Sequence, residues 1–312
     1  MDEPISSHIN SKTRRMKGEK AMLTIIIAVS LVTKLVYDQA IAKASKRTEN
    51  DGALTVLMQV IAGFTVLLCT PLDTIRFVTD WKIWIALTIA CVFYAINDRI
   101  ITPIRRELPV LHVSVLNEMT SVFLVLIGLL FFREPFSLYK ITAMAMIIGG
   151  NIMILYERPT GDQLGNTERR RRRRTIGFGI LARIAMSIAL SIDIDISTNY
   201  NLAHYVALSL IIPSLLILIF DRSIKLRDFK VLVLEGGWKT IVIAGVALGF
   251  QTYTMLKAYQ LGDILTVAPL LALSILANAL YEWVVKKETK KWKIKLAVSV
   301  MMVIATYLVS LG

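Results

Sequence analysis

Glu118 carries the most chemical weight in this chain, because it is the one acid in a long apolar block spanning about 109–132. It lies nine residues past Pro109, about 13 Å along a helix rising about 1.5 Å per residue. That depth is close to the middle of a block long enough to cross a bilayer. Asn117 sits about 100° around the same helix, so both side chains can border one cavity. A carboxylate there binds a substrate ammonium, carries a coupling proton, or ties two helices together by a hydrogen bond. Lys34 and Asp38 stand four apart in an earlier block. The spacing suits an ion pair within one helix, a lysine reaching back to headgroups, or a cavity lysine that holds a carboxylate or phosphate. Asp193 and Asp195 point about 200° apart on a helix, so one of the two can face a given cavity. Two further polar groups recur at comparable depth: Tyr94, Asn97 and Asp98 in one block, and Gln251, Tyr253 and Lys257 in another. Arg183, inside an apolar block, reads as a structural partner for a neighbouring acid. Glu282 reads as a partner for a nearby basic loop, and Asn278 as a weaker cavity candidate.

Long helices must carry these residues. The 312 residues are 55% hydrophobic and 19% charged, with a mean hydropathy of +0.61, more apolar than an ordinary globular domain. The apolar residues fall in unbroken blocks of span length, without the alternation of barrel strands. The expected fold class is therefore an all-α polytopic membrane protein with about ten transmembrane helices. The spans are expected at about 21–42, 54–72, 82–102, 109–132, 138–156, 176–198, 203–220, 240–259, 264–285 and 294–311. The first block leads into further spans, which reads as a span rather than a cleavable leader. Trp81, Trp84, Trp238 and Trp292 fall near span ends, as interfacial anchors do.

The net charge of +13 sits mainly between the apolar blocks, which reads as loop charge at anionic headgroups rather than nucleic-acid binding. The six arginines Arg169–Arg174 are the densest part of it. Cys69, Cys91, His8, His112 and His204 have no metal-ligand spacing. No Gly-rich phosphate loop followed by Lys-Ser/Thr is present. Neither a cofactor nor a metal is expected, and ATP is not expected to drive the chain directly.

The chain divides into a basic tail (1–20), a first five-helix unit (21–156), an Arg-rich linker (157–175) and a second five-helix unit (176–312). The two units end alike. Leu108-Pro109, a helix, Phe132-Arg133-Glu134 and Tyr139-Lys140-Ile141 match Ala268-Pro269, a helix, Lys286-Lys287-Glu288 and Trp292-Lys293-Ile294. An odd number of helices per unit forces opposite orientations, the inverted-repeat design of secondary transporters.

Five plus five helices, an acid after the fourth helix of each unit, and Gly149-Gly150 in the first closing helix resemble the EamA branch of the drug/metabolite transporter superfamily. Pro109 to Tyr156 carries the likeness best, with Ala268 to Leu311 as its second copy. The resemblance implies a metabolite exporter or exchanger with a substrate cavity between the halves, in the cell membrane. It also implies cytoplasmic termini. The positive-inside rule implies the reverse, because most of the 36 Lys and Arg residues fall on the side that holds the arginine run.

The leading expectation is a secondary transporter, not an enzyme, that moves small polar metabolites such as amino acids by alternating access. Glu118 is the first choice for a coupling proton. A translocator of nucleotide-linked or lipid-linked sugar is the alternative, with Lys34 and Lys257 as phosphate ligands. A membrane-embedded transferase using Asp193-Ile194-Asp195 to hold Mg²⁺ is the third. A ten-span duplicated chain completes its own cavity, so monomer and homodimer both remain open.

Overall fold

A computed structural model describes residues 4–48, 50–69, 78–108, 110–131, 137–155, 166–234, 237–285 and 287, with scattered residues between 297 and 308. Regular structure among them is helical throughout. In chain order the helices are α1 (Pro4–Ser45), α2 (Asp51–Leu68), α3 (Trp81–Glu107), α4 (Val110–Phe131), α5 (Leu138–Leu155) and α6 (Asn166–Ile196). They continue with α7 (Leu202–Phe220), α8 (Leu226–Leu234), α9 (Trp238–Leu261), α10 (Ile264–Leu271) and α11 (Ser274–Val284). Among the described residues, eight stretches are long and apolar enough to cross a membrane, α10 and α11 together counting as one, and Ile141–Gly150 in α5 is a shorter apolar helix. This is an all-helical fold compatible with a polytopic membrane protein. The expected last span, 294–311, and the expected linker as far as residue 165 lie largely outside the described residues.

Several helix starts follow from capping. Asn50, Asp80 and Asn201 each accept a bond from a backbone N–H of the first turn, at Ala53 (3.1 Å), Lys82 (2.9 Å) and Ala203 (3.0 Å). Such caps satisfy amides that have no partner within the helix. Three features differ from the sequence expectation. Helix α3 runs on to Glu107, carrying Arg105 and Arg106 that the charge pattern assigned to a loop. Helix α6 begins at Asn166, so the arginine run forms its first turns, where Arg171 pairs with Glu107 in solvent. An exposed pair of that kind contributes little to stability. Helix α8 was not expected at all: Leu232 is buried, while Leu226 and Leu234 are exposed beside Arg227 and Lys230. An amphipathic helix with basic residues suits the plane of a membrane interface.

Packing places the first helix against the ninth and the third against the sixth, with α2 held between α7 and α9. Helix α4 packs on α5 and α6 and also meets α10 and α11. The polarity is inverted relative to a water-soluble bundle. Asp38, Glu118, Arg183 and Asp193 are buried, whereas Ile25, Val32, Leu130 and Phe220 are exposed on the outside. Lipid removes the penalty for outward apolar surface and imposes a large one on outward charge.

Candidate functional site

The inward polar side chains line one cavity of about 140 Å³. Each contributing helix does so through a stripe at helical spacing. Helix α1 brings Lys34, Tyr37 and Asp38; α2 brings Thr55 and Gln59; α3 brings Tyr94, Asn97, Asp98, Thr102 and Arg105. Helix α4 adds Asn117, Glu118 and Ser121, α6 adds Arg183, and α9 adds Gln251. Residues three and four apart share a helix face, so the α3 stripe from Tyr94 to Arg105 presents a continuous polar wall.

Within this lining, the Lys34 ammonium donates to Glu118 Oε1. The same oxygen accepts from Ser274 Oγ at 2.6 Å, and Oε2 accepts from Ser121 Oγ at 3.3 Å. Glu118 is 1% exposed, so this set of donors replaces its hydration shell. Lys34 therefore serves an acid 84 positions away and not the i,i+4 partner the spacing suggested, nor does it reach for headgroups. Asp38 instead accepts from Asn278 Nδ2 at 2.9 Å and Ser114 Oγ at 3.3 Å, and Gln39 Nε2 donates to Asn278 Oδ1 at 2.9 Å. Ser274 follows a tight turn at Ala272 and Leu273, where α10 gives way to α11.

Elsewhere in the lining, Asp98 accepts from Gln59 Nε2 at 2.5 Å and Asn97 Nδ2 at 2.8 Å. Arg105 donates to the Tyr37 hydroxyl at 2.6 Å, with its guanidinium 5.0 Å from the ring centroid. Arg183 donates to Asn117 Oδ1 at 3.1 Å. It makes no ion pair with a neighbouring acid among the described residues, contrary to the structural partnership its position suggested. A fourth inward acid is Asp193. Behind the cavity wall, and fully buried, it accepts from the hydroxyls of Tyr94 and Tyr205, each at 2.6 Å.

Of the residues singled out from sequence, Lys34, Asp38, Tyr94, Asn97, Asn117, Glu118 and Gln251 converge on the cavity. Asp193 joins it only through Tyr94. Asp195 is exposed on the other side of α6, so the two carboxylates of Asp193-Ile194-Asp195 do not converge. Tyr253 packs half-buried against the main core, and Lys257, also half-buried, is outside the cavity lining. Glu282 is buried in α11; of its expected basic loop, Lys287 is described and exposed, and the other lysines lie outside the described residues. Arg105, Gln59 and Tyr37 were missed. The polar stripe at i, i+3/i+4 and i+7/i+8 on α3 was the available signal for Arg105.

The Asp193 cluster gives a first expectation. Tyr205→Phe removes one of its two hydroxyl donors without changing shape and costs about 1–3 kcal/mol, the penalty for leaving a buried polar group unsatisfied. Asp195→Asn, at an exposed position, stays within about 0.5 kcal/mol. Thermal unfolding of both variants in nanodiscs reads the difference, and equal behaviour would remove the structural role given to Asp193.

Comparison with known proteins bears on the fold alone. No family model matches the chain, and no curated protein is similar enough to match. Among solved structures, one described as "Crystal structure of protein" superposes with a TM-score of 0.68 over 93% of this chain and 98% of its own. At 17% identity that likeness extends to the helical architecture and no further.

Proposed function

We propose that this chain is a secondary transporter of the EamA branch of the drug/metabolite transporter superfamily, moving small zwitterionic or polar metabolites across the cell membrane. In this reading ten spans form two inverted five-helix repeats, and the central cavity is the substrate site. Alternating access exposes it to each side in turn.

The observation that carries the reading is the Lys34–Glu118 pair, with its acid buried and its lysine half-buried, in the lining of a polar cavity. A permanent structural ion pair gains nothing from facing an internal cavity, whereas a pair that a solute must open does. Two further observations support the repeats. Ser114 and Glu118 stand five and nine residues past Pro109, and Ser274 and Asn278 stand five and nine past Pro269. These four side chains meet on α1 and on each other: Ser274 on Glu118, and Ser114 and Asn278 on Asp38. The packing of α1 on α9 and of α6 on α3 is also the exchange expected when the first helix of each repeat lies on the third helix of the other.

Charge balance separates the substrate classes. The lining holds Lys34, Arg105 and Arg183 against Asp38, Asp98 and Glu118. A formally neutral wall suits a zwitterion better than a phosphate-rich nucleotide sugar, whose charge the three carboxylates would repel.

Solute retention tests the proposal. Liposomes bearing the protein, loaded with a mixed pool of amino acids, nucleosides, sugars and phosphates, are expected to lose one class selectively. Glu118→Gln should slow that loss at least tenfold. Absence of selective loss, with and without a pH gradient and with folded protein, rejects transport of such metabolites.

A further inference from the structure

The two buried arginines of the cavity are under-used by the protein. Arg183 is 4% exposed, yet its Nε and Nη2 donors have no partner; only Nη1 is engaged, on Asn117. Arg105 is 9% exposed, and its Nε is likewise without a partner. Neither makes an ion pair with an acid among the described residues. They are close enough to repel each other, and each feels the field of Asp98. A buried guanidinium with free donors is costly and is retained where something binds it. The free Nε and Nη2 edge of Arg183 is the geometry that takes both oxygens of a planar anion in parallel hydrogen bonds.

The same wall presents the complementary deficit. Gln59 and Asn97 both turn their amide nitrogens to Asp98, which leaves Gln59 Oε1 and Asn97 Oδ1 buried without a donor. A carboxylate flanked by two free carbonyl oxygens receives a group with several N–H donors and a positive charge. Unfilled donors and unfilled acceptors therefore share one cavity, with Asp98 near both arginines.

We propose that Arg183 and Arg105 form an anion subsite that binds the carboxylate of a zwitterionic solute, whose ammonium lies on Asp98 between Gln59 and Asn97. The assignment deepens the transport reading and rests on it for the solute's passage, but not for its binding. It divides the labour of the cavity. The arginines and Asp98 hold the two poles, and the Lys34–Glu118 pair is left to respond to occupancy.

The test uses the full chain in nanodiscs and thermal unfolding. The probes are the twenty α-amino acids, the carboxamide and deaminated analogues of any that bind, and inorganic phosphate. At least one amino acid is expected to raise the unfolding temperature at millimolar concentration, and each analogue to bind at least tenfold more weakly. Arg183→Gln and Arg105→Gln are each expected to weaken binding tenfold or more. Arg183→Gln without solute should unfold no lower than the parent, because it removes a buried charge that makes no contact ion pair among the described residues and leaves two donors unfilled. Arg183→Lys, which keeps charge and loses the planar fork, should still weaken binding. Undiminished binding by the Gln variants overturns the subsite, as does the absence of any stabilising amino acid. Tighter binding of phosphate than of every amino acid overturns the carboxylate assignment. Arginine-dependent binding without flux in liposomes leaves the subsite standing and removes the transport reading. Flux untouched in both Gln variants does the opposite.

Discussion

Glu118→Gln is expected to destabilise the protein by about 1–3 kcal/mol, the cost of leaving the half-buried Lys34 ammonium without its carboxylate. The glutamine keeps shape and can still meet Ser274 and Ser121, so packing and neutral hydrogen bonds are largely retained. What remains is the Lys34 ammonium, 15% exposed and without the carboxylate that balances it. Lys34→Met is expected to cost at least as much, because it leaves the more deeply buried Glu118 carboxylate with two hydroxyl donors and no cation. The double variant Lys34→Met/Glu118→Gln should recover most of the loss, since an uncharged pair has no unbalanced charge to bury. A double-mutant cycle on unfolding in nanodiscs measures this directly. Additive single effects would show that the two groups are not energetically coupled. The double variant also separates stability from transport: it is expected to fold and to remain inactive in the retention assay.

Gly249→Ala is expected to lower stability by about 1–3 kcal/mol or more through overpacking, although alanine is the better helix former by about 1 kcal/mol. A Cβ at Gly249 would stand 2.7 Å from the carbonyl oxygen of Ala62 and 3.1 Å from Val66 Cγ2. The first of these is backbone, so α2 and α9 must separate. Gly245, one turn earlier, approaches Ile61 and Met58 of α2 just as closely, at 2.7 and 3.1 Å. Two small residues four apart let helix backbones meet in a membrane bundle. The consequence reaches the site, because α2 carries Gln59 and α9 carries Gln251. Gly249→Leu should fail to give folded protein. Gly149→Ala is the control: among the described residues its Cβ would meet Met301 Cε at 3.7 Å and nothing closer, so the gain in helix propensity makes it neutral or stabilising. Loss of stability in Gly149→Ala equal to that in Gly249→Ala would show that close approach is not the cause.

Much of the architecture was legible because span formation is local. Apolar blocks expected at 203–220, 240–259 and 264–285 correspond to α7 (Leu202–Phe220), α9 (Trp238–Leu261) and α10–α11 (Ile264–Val284). The misplaced ends have a common cause. Helix α3 was expected to stop near residue 102 because Arg105 and Arg106 are charged. It continues because Tyr37 takes one guanidinium, while Ser45 O, Thr48 O and Asp51 take the other. The seam of Gly245 and Gly249 was not read from the sequence, because nothing local says which helix lies against a pair of glycines.

Depth along a helix is counted in residues, and that count by itself placed Glu118, with Asn117 beside it, close to the middle of its span. Partners were another matter. Lys34 has an acid one turn away on its own helix, and it bonds instead to Glu118 on α4; Asp38 is satisfied by Asn278 on α11. The choice depends on which helices stand side by side, and that order is set by contacts between segments far apart in the chain. The sequence by itself determined that long apolar helices would form and which polar groups they would carry to mid-depth, because hydropathy and helical rise are local properties. Only the tertiary structure decided which charge meets which, and left two arginines facing a cavity with donors to spare.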